Sequence, residues 1–161
     1  MAVSVQDLLK HQEWADAVFF RAWETSGAQV DTDLRARMDH AVVTMEAFLA
    51  VLRGDPAAFP ERPLPDFEAL QARCLAGHRA LGLLVAGLDE SALARLVHIP
   101  WFPEPPCIVP VADALLQVCL HGQHHRGQCL ARLRALGAAP KNVDYLIWLW
   151  RQKPEPRWAV S

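Results

Sequence analysis

The sequence predicts an all-α protein, a four-helix bundle with a short additional C-terminal helix. All twelve prolines fall outside four stretches, 1–55, 66–99, 111–139 and 141–153. Proline removes a backbone donor and clashes with the preceding helical turn, so the gaps between prolines are where helices can run. Within those gaps no run sustains the apolar–polar alternation of a strand, and no repeat of fixed period is present. At 161 residues and 52% hydrophobic content, one domain spanning 1–161 can bury a sizeable core.

The first helix is expected from Ser4 to about Glu24, because SVQD has the form of a capping box, with Gly27 in the connection that follows. A second helix begins near Asp31 or Thr32 and stops at Gly54, where Asp55-Pro56 prevents continuation. AAFPERPLP is a proline-rich loop, and a third helix runs from near Asp66 to about Gly87. Signals from Leu88 to Val109 are mixed: Ser91 to Val97 allows a short helix, and WFPEPPCIVP reads as irregular. The fourth long helix extends from Pro110 or Val111 to Leu136, closed by Gly137 and Pro140. A last helix over Val143 to Arg151 carries Tyr145, Trp148 and Trp150, and the tail from about 152 to 161 is expected to fray. Mostly short connections favour an antiparallel bundle, and the long connection between the third and fourth helices leaves a crossover open.

Composition narrows the function. A net charge of −2 without a basic face or tail gives no electrostatic footprint for nucleic acid. No apolar run approaches the roughly 20 residues of a membrane helix, and MAVSVQDLLKHQEW lacks the features of a secretory signal. A soluble cytoplasmic protein is expected, with Cys74, Cys107, Cys119 and Cys129 reduced, since they form no CxxC pair.

Three of the seven histidines crowd into LHGQHHRGQ, residues 120–128. His121 and His125 stand four apart, one above the other at the edge of the apolar stripe, and His124 points further outward. Gly122 and Gly127 remove bulk from the same helix, as suits a close approach. In the second helix, Leu34, Met38, Val42, Met45, Leu49 and Leu52 form the apolar stripe. His40 falls roughly 120° from the charged wedge, on a weakly apolar side of that helix. An i, i+4 pair can offer two imidazoles to one ion, but HxxxH here lacks the internal glutamate of a metalloprotease. Two readings stay open on spacing alone: solvated helix polarity, or an open site of three imidazoles completed by His40. Cys129, a turn beyond His125, is either a substitute ligand or core packing.

Three blocks carry a family resemblance. HQEWADAVFF, with Trp14-Ala15-Asp16, resembles the first-helix pattern of the DinB/YfiT-like superfamily, in which asparagine is common where Asp16 stands. MDHAVVTMEAFLAVLRGDP, with His40 and Glu46, resembles its second helix. HGQHHRGQCLARLRALGAAPKNVDYLIWLW resembles its HxxxHRGQ segment, followed by Gly-x-x-Pro and Asp-Tyr. The resemblance implies a four-helix bundle, a homodimer, and a divalent metal held by His40, His121 and His125. Zinc or nickel suits such a site best, with iron or copper also compatible. It also implies an enzyme that activates a low-molecular-weight thiol for transfer to an electrophile. The alternatives are a metal-binding protein without turnover and a helical interaction module. The superfamily's founding name refers to DNA-damage induction, which does not establish DNA binding.

Several neighbours have two readings each. Gln128 either orients a ligand or is an ordinary polar flank, and Arg126 is expected in a surface or interface ion pair. His124 is expected as exposed polarity. Cys107 lies at a pocket mouth or is a spectator. His11 is a surface residue on periodicity and a cavity-lining one under the resemblance. Trp101 and Phe102 rim a substrate site, contact a second copy, or pack against the bundle end.

Overall fold

Each long helix begins and ends at the residues its sequence offers for that purpose. The computed structural model describes residues 4–57, 59 and 61–159. Helix α1 (Val5–Ser26) starts where Ser4 accepts the Asp7 N–H, and ends at Gly27, whose φ of 73° returns its N–H to the Glu24 carbonyl. The expected capping box is half formed, because the Asp7 carboxylate takes Lys153 Nζ at 2.7 Å. Helix α2 (Thr32–Arg53) is capped by Asp31 and closed by Gly54 at φ 82°. Helix α3 (Phe67–Ala86) is capped by Asp66. Ala58 and Pro60 of the preceding proline-rich loop lie outside the described residues, as do Val160 and Ser161 of the tail.

Between α3 and the next long helix the chain departs from expectation. The short helix, α4 (Glu90–Ala94), ends before Val97. Leu96–Ile99 (β1) then pairs antiparallel with Cys107–Pro110 (β2), from Leu96 opposite Pro110 to Ile99 opposite Cys107. Four-residue strands are too short to display a sustained period, although β1 does alternate exposed and buried positions. Trp101, in the connection of this hairpin, lies edge-on to Phe48 at 5.0 Å and to Phe59 at 5.3 Å, while Phe102 stays exposed. The hairpin thus packs against the bundle through Trp101. Helix α5 (Val111–Ala135) follows directly, and Gly137 at φ 88° turns the chain away. The last helix, α6 (Tyr145–Trp150), starts two residues later than expected, with Val143 buried ahead of it.

The long helices form a ring in the order α1, α3, α2, α5: α1 and α2 each pack against both α3 and α5. Of the consecutive long helices, α1 and α2 stand across one diagonal and α3 and α5 across the other, while α2 and α3 are neighbours, unlike a simple up-and-down bundle. Phe19, Phe20, Trp23 and Phe67 form an aromatic cluster in the core, with centroids 5.0–5.8 Å apart. Trp158 covers Phe20 at 5.8 Å, and Trp148 Nε1 donates to the Pro154 carbonyl. These contacts hold the described part of the tail against the bundle where fraying was expected.

His11, read from periodicity as a surface residue, is almost wholly buried. Its Nε2 bonds the Val143 carbonyl at 2.8 Å, and Tyr145 and Trp148 pack on its ring, which ties α6 to α1. Burial lowers its pKa from 6.5, with the Val143 carbonyl partly opposing. The unfolded chain therefore binds a proton there more readily. The stability His11 contributes is complete well above pH 6.5 and is lost as the pH falls through that value toward the lower folded one. His11→Gln keeps a neutral donor and cannot take up that proton. Urea unfolding followed by circular dichroism should show its stability falling less steeply than wild type between about pH 7 and about pH 5; equal slopes would show that His11 plays no part.

Candidate metal centre

The contact between α2 and α5 brings three histidines together. His40 comes from α2, and His121 and His125 from successive turns of α5. Ring centroids are 5.0 Å apart for His40–His121, 4.7 Å for His40–His125 and 4.4 Å for His121–His125. One donor atom from each lies within 4.8 Å of the other two. His121 and His125 are half-buried and His40 is exposed, so the group opens to solvent on the α2 side.

Burial, reinforced by the neighbouring imidazoles, lowers the pKa of His121 to about 4. Burial also lowers that of His125, with the Gln128 hydrogen bond opposing. Both rings are therefore neutral at neutral pH, and a neutral imidazole keeps a lone pair for a cation. His121 Nδ1 is buried and has no hydrogen-bond partner among the described residues. An orphaned buried nitrogen of this kind costs about 1–3 kcal/mol. The residues fit a divalent cation: three nitrogen donors converge, two on rings held neutral, and one of these rings carries an unsatisfied buried atom.

Gln128 orients this group. Its Oε1 accepts from His125 Nδ1 at 3.0 Å, which leaves His125 Nε2 free, and Arg37 donates to the same oxygen at 3.4 Å. The Gln128 amide also bonds the exposed His124 at 3.0 Å. Arg37, itself paired with Asp33 at 2.9 Å, was not singled out in the sequence, although it lies three residues before His40 on the same face. Glu46 points elsewhere and pairs with Arg73 across to α3. Cys129 is fully buried in the core. Cys107 sits in β2. Gly122 and Gly127 answer to no close approach: a Cβ on Gly122 would meet only Gln12 Oε1 at 3.5 Å, and one on Gly127 would meet nothing.

A second convergence lies deeper. Asp16, Cys74 and His78 also bring donor atoms within 4.8 Å of one another, all three residues buried. Arg126, expected in a surface or interface ion pair, makes its ion pair in the interior instead: it is 2% exposed and donates to Asp16 Oδ1 at 2.8 Å and to Gln12 at 2.9 Å. His78 Nε2 bonds Asp16 Oδ2 at 2.8 Å, and the Cys74 thiol approaches the same oxygen at 3.8 Å. Burial alone would raise the Asp16 pKa, but the Arg126 and His78 contacts hold it below the usual value. Burial and the Asp16 charge raise the Cys74 pKa well above normal, so its thiol keeps its proton. A cation entering here would meet a guanidinium already in place, so this is an ion-pair network. Asp16, Gln12 and His78 line a cavity of about 20 Å³ beside it, which puts the Asp16 position in contact with a cavity. His11 does not line that cavity.

A helical bundle in which two neighbouring helices present three imidazoles to one solvent-open point defines a class: bundle proteins with a candidate metal centre. The family model of the DinB superfamily matches residues 6–129, from α1 into α5 and including all three histidines. The chain belongs to the DinB superfamily. No curated protein and no solved structure matches it.

The buried network makes a stability prediction. Asp16→Asn removes the charge that compensates Arg126, and breaking a buried pair in this way costs about 3–5 kcal/mol. Adding Arg126→Met should recover part of that loss in urea unfolding. A single-variant loss below about 1 kcal/mol would place the pair among weak surface contacts.

Proposed function

We propose that the protein holds one divalent metal ion through His40, His121 and His125 and uses it to activate a low-molecular-weight thiol for transfer to an electrophilic small molecule. The observation that supports this reading is the convergence of three imidazoles on one open point. Three neutral nitrogen donors leave a divalent ion its full charge and a free position, as in catalytic rather than structural zinc sites. When bound, the ion supplies Lewis acidity that favours the deprotonated form of a thiol at neutral pH.

The chain's own residues supply the rest. Gln128 fixes the orientation of His125, and Arg37 holds Gln128. The exposed His40 leaves the site open to solvent and to a reactant. In the transfer the sulfur–hydrogen bond and the bond from carbon to the leaving group break, a sulfur–carbon bond forms, and the proton passes to solvent. The four cysteines are free thiols, three buried and Cys107 half-buried, so the reacting sulfur comes from the small molecule. The superfamily likeness further supports a homodimer, and the net charge of −2 without a basic face or long apolar run supports a cytoplasmic protein without nucleic acid or membrane as partner. No helix among the described residues is long and apolar enough to cross a membrane.

Metal content by plasma mass spectrometry tests the ligand set. Wild type and Cys74→Ala should carry about one equivalent, and His121→Ala little, since the variant keeps only two of the three imidazole donors. A panel of thiols and electrophiles then tests turnover. Metal without turnover would leave a metal-binding protein, and no metal in wild type grown with zinc, nickel and iron would sink the proposal. Gln128→Ala should keep the fold and weaken metal affinity about 10–100-fold in competition with a chromogenic chelator. An unchanged affinity would show that Gln128 does not orient the site.

A further inference from the structure

A groove of about 710 Å³ lies on another part of the bundle, between the second half of α1, the connection 136–141 after α5, and the tail. Arg21, Lys141 and Arg157 line it, together with Thr25 and Ser26, and among the described residues no carboxylate does. In a chain of net charge −2, three cations around one concavity are a marked local excess. None of the three makes an ion pair among the described residues.

The helix ends nearby do not explain these charges. The last turn of α1 contains no basic residue, and the Glu24 carbonyl is served by Gln29 Nε2 at 2.7 Å. The last turn of α5 carries Arg132 and Arg134, neither of which lines the groove. The hydroxyl protons are also committed: Thr25 donates to the Arg21 carbonyl and Ser26 to that of Trp23. Recognition there rests on the three cations, which repel one another when nothing stands between them. The walls include apolar surface from Val18 and Leu136.

We propose that this groove is a second ligand site, for a small polyanion that carries a phosphoryl group or several carboxylates on a compact body. Its volume falls within the roughly 300–1,000 Å³ of small-molecule sites. The absence of any wider basic face in the sequence disfavours a nucleic acid backbone, which needs charge along an extended track. From His125 to Leu136 is roughly 16 Å along α5 at 1.5 Å per residue, so the site is separate from the histidine group.

Titration calorimetry with inorganic pyrophosphate and, separately, with citrate tests the site. It is run on His121→Ala as well as on wild type, because both probes also bind metals. Binding of either probe at about one equivalent in both proteins is expected. The Kd should rise with added salt, and should rise at least about tenfold in R21E/R157E, whose substitutions fall on exposed side chains. Should that pair unfold, Lys141→Glu alone serves, with an expected loss of about threefold or more. Pyrophosphate binding alone would assign a phosphoryl ligand, and citrate binding alone a polycarboxylate. No binding by either probe at millimolar concentration, binding lost in His121→Ala, or equal binding by the charge-reversed variants would overturn the proposal.

Discussion

The buried pair between Asp16 of α1 and Arg126 of α5 sets the frame on which the rest depends. Arg126 is large, charged and nearly inaccessible, so α5 has few rotations about its own axis that keep the guanidinium on Asp16 and Gln12. At 100° per residue, a helix that aims residue 126 inward carries residue 125 roughly 100° to one side and residue 121 roughly 140° to the same side. Both histidines are thereby delivered to the edge facing α2, half-buried, where His40 meets them. His78 reaches the same carboxylate from α3, so one buried acid fixes three of the four long helices. Buried ion pairs add little net stability because desolvation offsets their attraction, but a broken one is costly, and that asymmetry gives this network its hold on orientation.

The two clusters show how similar residue types reach opposite chemistry. The outer group consists of imidazoles alone, of which His121 and His125 are lowered in pKa chiefly by burial, with one nitrogen unsatisfied. It includes no carboxylate and no thiol. The inner group has a carboxylate, a thiol and an imidazole, a donor set that on composition alone would suit a soft divalent ion. Arg126 already neutralises the carboxylate and the thiol keeps its proton, so nothing remains for an ion to satisfy. Proximity of donor atoms is shared by both groups; unspent lone pairs belong to the outer one.

Much of this was legible in the chain. Prolines and caps placed the four long helices to within a few residues, because Asp31, Asp66, Gly27 and Gly54 act locally and need no tertiary partner. His121 and His125 were visible as an i, i+4 pair for the same reason. Residues whose role depends on a distant partner were not visible. Arg126 falls seven residues after Cys119 and seven before Leu133, both buried, and a charge in such a stripe signals a buried counter-ion without saying where it is. His78 likewise sits between Cys74 and Leu81 on the buried face of α3. The β1–β2 hairpin escaped because four-residue strands paired across an irregular, proline-bearing connection display no period. The ring order of helices escaped because loop length limits how far apart two ends can be, not which helix fills the space between them.

That ring order bears on the histidine group itself. Because α1 and α2 stand diagonally, α2 is held between α3 on one side and α5 on the other. His40 is 81 residues from His121 and 85 from His125, by subtraction of their sequence positions. The three rings thus have no reason to meet in an unfolded chain, where closing so long a loop is entropically unfavourable. An ion bound by all three would recognise the packed bundle and not its unfolded form, and would stabilise the fold in proportion to its affinity. The internal ion pair and the outer imidazoles are therefore successive layers of one arrangement. The first fixes how α5 faces, and the second forms where α2 packs against the face so presented.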